Sequence, residues 1–475
     1  MREQWHTNFN DIKGEIERFE LMESGEKTFY FDVHTIENIF EFYAEKFQFE
    51  KAERILKVGI LQHPDAPSLQ TKQALILIEK GEDIEAIGRM EHLVKMEKSN
   101  PELFLNLGYV YLRNNRINEA VDCFKNSLSL AFEDHEETLL DIAQYLNQHE
   151  QFKYALEFLE PESKKYPLNE AILFELAYAL DKENRTEEGF DAYQRLLELD
   201  PFSENAWYNL GIIYIKKENY NKAIECYDFA LALNPSHAEA LFNKANSLVA
   251  LNRLPEAIDL YIEYLSYDYD SLLPYHYIAD CYDQLNNSEM ALRFYRLTVN
   301  TDPAYLPAWL NYLATLINME LIDEAEEASL KALEHHSDFI EFWYLRARVL
   351  LLSENYRGAY DALLVTITQE PDNLRNLFEF YNVERKLSPR KNPFKIIENL
   401  LKKYPEATVA HYLAVAYFLM EDRQLTRAAE HLKTALIENP YDYDLFLDLF
   451  PKMEKIIGQS KKLSAIVDQY SSYEF

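Results

Sequence analysis

The chain has 475 residues, 81 Asp plus Glu against 48 Lys plus Arg, a formal net charge of −33, and only 10 glycines. Scarce glycine argues against nucleotide-binding α/β enzymes, whose loops need it where backbone meets phosphate. The acidic balance argues against nucleic acid and anionic membranes as partners, since both are held through Lys and Arg, while 48 % hydrophobic and 14 % aromatic residues mark a chain that folds.

Met1 to Asn8 lacks the apolar run of a secretory leader, and no stretch of about 18 residues is apolar enough to span a bilayer. Cys123, Cys226 and Cys281 lie far apart without CxxC spacing, so neither a disulfide framework nor a zinc site is expected, and the expected location is the cytoplasm. Residues 1–32 read as an N-terminal cap. Phe9, Ile12, Ile16 and Phe19 share a helical face, Thr28 to Phe31 is an extended connector, and Asp32 is placed to cap the next helix.

From residue 33 the sequence repeats. Pro64, Pro167, Pro201, Pro235, Pro303, Pro371, Pro405 and Pro440 recur at multiples of 34, apart from two single-residue insertions. In that phase the twentieth position is Ala52, Ala86, Ala120, Ala155, Gly189, Ala223, Ala257, Ala291, Ala325, Ala359, Pro393 and Ala428. The eighth position is small in most units, including Gly108 and Gly211, and small residues at both positions let two antiparallel helices approach closely. Large residues fill the layer between them: Trp207, Trp309 and Trp343 at position four, and Phe124, Tyr193, Tyr227, Tyr261 and Tyr295 at position twenty-four. Positions four, seven, eight and eleven make one helical stripe, and the proline stops the second helix.

These residues resemble the tetratricopeptide repeat. Glu204 to His237 carries the family's pattern as Trp207, Leu210, Gly211, Tyr214, Ala223, Tyr227, Ala230 and Pro235. The resemblance covers residues 33–442 as twelve units and implies an all-α, right-handed superhelical solenoid of antiparallel helix pairs. Ten regular units are expected over 33–373, a degenerate unit over 374–408, a further unit over 409–442, and capping helices over 443–475. It also implies a concave groove, lined by the first helix of each pair, that binds peptides or partner proteins, with no fixed chemistry.

In the family, positions two, five, six, nine, twelve and thirteen face the groove. Position six holds Asn38, Asn106, Asn209, Asn243 and Asn311, and an amide can donate to and accept from an extended backbone without reading its sequence. This row is similar to the asparagine ladder of repeats attached to protein glycosyltransferases, although Lys72, Asp141, Glu175, Tyr277 and Leu345 interrupt it. Position five adds Phe174, Tyr208, Phe242, His276 and Tyr344 as apolar contacts. The Lys, Asn and Arg set of the family's carboxylate clamps is missing. Asp141, Glu175, Asp181, Asp280 and Asp283 make the middle groove acidic, which suits a neutral-to-basic segment.

The unit 374–408 has eight Lys plus Arg against four Asp plus Glu, with Glu384 at the usually apolar eleventh position. Arg385 to Pro393 reads as an extended basic loop, and Arg385, Lys386, Arg390 and Lys391 are its candidate docking residues for an acidic partner; a plainly solvated loop is the simpler reading. In 443–475, Leu445, Phe446, Leu449, Phe450 and Met453 start one helix and Leu463, Ala465, Ile466 and Val467 a last one. No Walker loop, GxGxxG, HExxH or GxSxG is present, so no catalytic residue, metal or cofactor is nominated. The expected function is a non-enzymatic scaffold binding an extended protein segment in the groove, centred near Tyr208, Asn209, Phe242 and Asn243. The alternative is a structural subunit that assembles through its convex face or termini.

Overall fold

The computed structural model describes residues 9–25, 27–267 and 273–470. The chain divides into two compact units at His237/Ala238. In the first, α1 (Phe9–Glu23) precedes α2 (Val33–Glu45) with α3 (Phe49–Gln62), α4 (Pro67–Glu79) with α5 (Asp83–Met96), and α6 (Pro101–Arg113) with α7 (Ile117–Leu130). The stack continues with α8 (His135–Gln148) and α9 (Phe152–Ser163), α10 (Glu170–Lys182) and α11 (Thr186–Leu199), and α12 (Glu204–Lys216) and α13 (Tyr220–Leu233). The second unit pairs α14 (Ala238–Ala250) with α15 (Leu254–Tyr267), α16 (Leu273–Gln284) with α17 (Ser288–Thr301), and α18 (Leu306–Asn318) with α19 (Ile322–His335). It goes on with α20 (Ile340–Leu352) and α21 (Tyr356–Gln369), α22 (Leu374–Leu387) and α23 (Pro393–Lys403), and α24 (Ala410–Met420) and α25 (Leu425–Glu438). After a 3-10 turn come α26 (Tyr443–Leu449), α27 (Lys452–Gln459) and α28 (Lys461–Tyr470). Each unit is thus an all-α stack of helix pairs, as the period implies.

The small residues act where the pattern places them. Every alanine at position twenty is fully buried. At position eight the backbone itself touches the next layer: a Cβ on Gly211 would stand 2.5 Å from Tyr227 Cε1, and one on Gly108 2.5 Å from Phe124 Cε1. The position-four indoles also work alike, since Trp207, Trp309 and Trp343 each donate to the carbonyl six residues earlier, at 2.9, 2.8 and 2.8 Å. That bond ties each first helix to the turn before it.

A further device recurs at the fifteenth position, where the chain reverses between helices of a pair. Phe47, Asn115, Glu150, Asn184, Glu218, Asn252, Asn286, Glu320, Glu354 and Arg423 all have φ between 52° and 62°, and Gly81 has 76°. The left-handed residue and its successor close the first helix with paired bonds, as in Glu218 N to Ile215 O at 2.8 Å and Asn219 N to Tyr214 O at 2.8 Å. Only the unit 374–408 lacks this turn among the described residues of the repeats, because Ser388 instead donates to Glu384 O at 2.9 Å.

Two elements differ from the expectation. Arg385, Lys386 and Leu387 are helical, so the connection in the degenerate unit is the short stretch 388–392, and Pro393 opens α23 where its missing N–H costs nothing. At the C-terminus the single helix expected through Met453 is broken at Phe450–Pro451 into α26 and α27, since Pro451 cannot continue the ladder. At the other end Ile16 and Phe19 of α1 are buried, and Phe31 packs beneath the connector with its N–H on Gln62 Oε1 at 3.0 Å. Asp32 caps α2, accepting from Thr35 N at 2.8 Å. Met1 to Asn8 and the side chains of Phe9 and Ile12 lie outside the described residues.

Candidate peptide-binding face

Within each unit, contacts between successive first helices show which of their residues share a side. Lys72 reaches Glu41 Oε1 at 3.0 Å, position six to the preceding position nine. Asn147 Nδ2 donates to Glu175 Oε2 at 2.8 Å, position twelve to the next position six. Lys216 Nζ stands 2.8 Å from both oxygens of Asp181, position thirteen to the preceding position twelve. In the second unit Asn311 Nδ2 donates to Asp280 Oδ1 at 2.9 Å. Positions six, nine, twelve and thirteen therefore form one continuous strip along the first helices of each unit.

The candidate asparagines do not form a uniform ladder on this strip. Asn106 is buried at 9 % exposure, and Asn311 is engaged by Asp280 of the preceding first helix. Asn209 is half-buried and makes no hydrogen bond among the described residues. Asn243 is half-buried and its carbonyl accepts from Ser247 Oγ at 2.7 Å. At position five, Phe174 and Tyr208 of the first unit are half-buried, with Phe174 edge-on to Tyr193 at 6.2 Å and Tyr208 against His237 at 4.7 Å. Phe242 of the second unit meets Tyr261, Tyr264 and Tyr277 within 5.6 Å. Because the division falls at 237/238, Tyr208 and Asn209 belong to the first unit and Phe242 and Asn243 to the second.

His276 is a correction. It is 6 % exposed, enclosed by Tyr277, Tyr295 and Tyr305, with Nε2 3.4 Å from Asp280 Oδ2. Burial holds its pKa below the ordinary histidine value. Asp280, which also accepts from Tyr295 Oη at 2.6 Å, is a structural hub, a role that spacing alone did not disclose.

The expected acidity of the groove is also partly cancelled. Lys216 neutralises the buried Asp181, and Asp280 is saturated by donors. Three carboxylates remain: the exposed Asp283 of the second unit and, at position six of successive repeats in the first, Asp141 and Glu175. Asp141 is half-buried without a hydrogen-bond partner among the described residues, and Glu175 is half-buried on Asn147; burial raises the pKa of both. Tyr145, Phe174 and Tyr178 flank them on the same helices, and Tyr109 of α6 lies 4.6 Å from Tyr145.

The basic candidates separate as well. Arg385 pairs with Glu421 at 2.7 Å, Lys386 lies 4.5 Å from the Tyr356 ring, and Lys391 binds Glu384 across the short connection. Arg390 is exposed. Glu384, anomalous at position eleven, is thus the anchor of the turn that replaces the left-handed one. The thiols of Cys123, Cys226 and Cys281 are buried, and burial pushes the first two up to about 12, which removes thiolate chemistry. Among the described residues no group of three or more His, Cys, Asp or Glu is placed to hold a metal, and no helix is long and apolar enough to cross a membrane.

Family models of the tetratricopeptide repeat match residues 101–134, 140–204 and 204–237. No curated protein matches the chain. Solved structures similar to parts of it include MamA, at 21 % identity over 34 % of this chain and 95 % of that one, TM-score 0.33. A MamA fragment from Desulfovibrio magneticus RS-1 gives 24 % identity over 36 % of this chain and 97 % of that one, TM-score 0.31. YrrB, described as a TPR protein with an unusual peptide-binding site, gives 25 % over 39 % and 95 %, TM-score 0.31. The matched repeats, the 34-residue period and the paired helices agree, and residues 101–237 are tetratricopeptide repeats.

Proposed function

We propose that the protein is a non-enzymatic interaction scaffold whose first-helix strip in the first unit binds an extended, neutral-to-basic segment of a partner protein. The observation that carries this reading is Asp141, a half-buried carboxylate with no partner among the described residues. Burial without a donor is unfavourable for a charged group, so a Lys, Arg or backbone N–H from a partner finds a stabilised position there. Glu175 offers a second acceptor one repeat on, Phe174 and Tyr208 supply apolar contact, and the Asn209 amide is available to a backbone. YrrB, a protein of the same repeat family, is described as having a peptide-binding site.

The test is selection from a displayed library of extended peptides, followed by titration of the selected peptides against the intact chain and Asp141→Asn plus Glu175→Gln. The reading expects Lys or Arg in the selected peptides and at least tenfold weaker binding to the variant. Selected peptides without basic residues, or equal affinities, would sink it. A second reading, assembly through the opposite face, is favoured by one feature: Trp207 and the exposed Phe229 stack at 4.4 Å over a cleft of about 520 Å³ between α11 and α13. Loss of partner binding on Phe229→Ser, with the Asp141 variant intact, would select that reading.

A further inference from the structure

In a chain of net charge −33, the first helices reverse sign locally at α20 and α22 of the second unit. At positions two, six, nine, twelve and thirteen of the repeat, α8 and α10 carry Glu137, Asp141, Glu175 and Asp181 against Lys182 alone, whereas α20 and α22 carry Arg348, Arg375, Arg385 and Lys386 against Glu341 and Glu379. Arg385 is committed to Glu421. Arg348 and Arg375 are exposed and have neither a hydrogen bond nor an ion pair among the described residues. They lie one helical turn from Tyr344 and Glu379, respectively. Both arginines act electrostatically on the half-buried Tyr344 and Glu379, and Lys386 acts on Glu379, so these side chains form one local cluster.

We propose that the Arg348, Arg375 and Lys386 cluster docks an acidic extended segment of a partner protein, with the segment's carboxylates on the two arginines and its apolar stem against Tyr344. Guanidinium groups hold carboxylates bidentately and stack on aromatic rings, which suits them to this task. Complementary charge raises encounter rate and selectivity, and the chain's net charge of −33 disfavours an acidic segment over most of the remaining surface. Glu379 lies among the cations and weakens the site, so its removal tightens binding. The proposal rests on the first-helix strip being the working surface, but not on the Asp141 station. It also differs from the basic connection, where Lys391 is occupied by Glu384 and only Arg390 remains exposed.

The test is fluorescence anisotropy of the full chain with a labelled peptide of alternating Glu and Ala, and a matching peptide of Lys and Ala as control. The acidic peptide binds at low salt. R348Q plus R375Q weakens it at least tenfold with helicity unchanged, E379Q tightens it severalfold, and D141N plus E175Q leaves it unaltered while weakening the basic peptide. The proposal is overturned if the wild type fails to bind the acidic peptide at low salt, if R348Q plus R375Q binds it equally well, or if R390Q abolishes binding instead. Failure of the basic peptide alone counts against the Asp141 station and not against this one.

Discussion

The left-handed residue at the turn of each pair provides a stability test with internal controls. A non-glycine residue in this region costs roughly 1–2 kcal/mol from contact between Cβ and backbone, and glycine returns roughly 0.5–1 kcal/mol of that through the larger entropy of its unfolded state. Glu218, at φ 55°, and Glu320, at φ 57°, therefore stabilise the chain by about 0.5–1 kcal/mol when each is replaced by Gly. Asn tolerates the conformation because its short side chain bonds locally, so Asn115→Gly changes little. Gly81→Ala loses about 1 kcal/mol at φ 76°. Ser388→Gly falls where the left-handed turn is missing and gains nothing. The assay is urea denaturation followed by circular dichroism, with hydrogen exchange of the affected hairpin as a local readout, since repeat arrays need not unfold in one step. Destabilisation by Glu218→Gly and Glu320→Gly, or an equal gain at Ser388, would refute the reasoning.

Tyr227 and Tyr295 occupy the same repeat position with opposite polar surroundings. The Tyr227 hydroxyl is buried without a partner among the described residues and that of Tyr295 donates to Asp280, so Tyr227→Phe stabilises by about 1 kcal/mol and Tyr295→Phe costs about 1–2 kcal/mol in the same melts. Lys216→Ala strands the buried Asp181 and lowers the midpoint by the equivalent of about 1–3 kcal/mol, a range reduced because Lys216 is itself exposed; Lys216→Arg retains most of the stability. His411 and His431 face one another with Nδ1 atoms 2.7 Å apart, and burial lowers both pKa values, that of His431 to about 4. A histidine below its unfolded pKa of about 6.5 binds fewer protons when folded, so its contribution is complete at neutral pH and declines as pH falls from about 6.5 to about 4. After allowance for partial exposure the decline is about 1–2 kcal/mol, read as the difference between wild type and His431→Phe in urea midpoints at pH 7.5 and pH 5. Parallel pH profiles would refute it.

What was legible in the sequence follows from which positions leave a compositional trace. Close helix approach admits only small residues, so Ala120, Ala223 and Gly211 announce the pairing directly. The left-handed turns left no such trace, because Glu and Asn occupy them where a glycine would have flagged the conformation. Pro389 and Pro393 suggested a long loop, yet Glu421 and Tyr356 hold Arg385 and Lys386 on the end of α22. On the strip, spacing places residues correctly side by side but carries no information on partners. Asn106 and His276 are buried, Asn311 is taken by Asp280, and Lys216 cancels Asp181, each through a residue 31 or more positions away or through packing. The pair Arg348 and Arg375 was visible as two charges, and only their common side and lack of partners distinguish them.

The first-helix strip is the proposed working surface. It is tested most directly by hydrogen–deuterium exchange of the intact chain with and without a peptide selected against it, at saturating peptide. The account predicts added protection in α8, α10 and α12, reduced by Asp141→Asn plus Glu175→Gln. Protection confined to α9, α11 and α13, around Phe229, would contradict it.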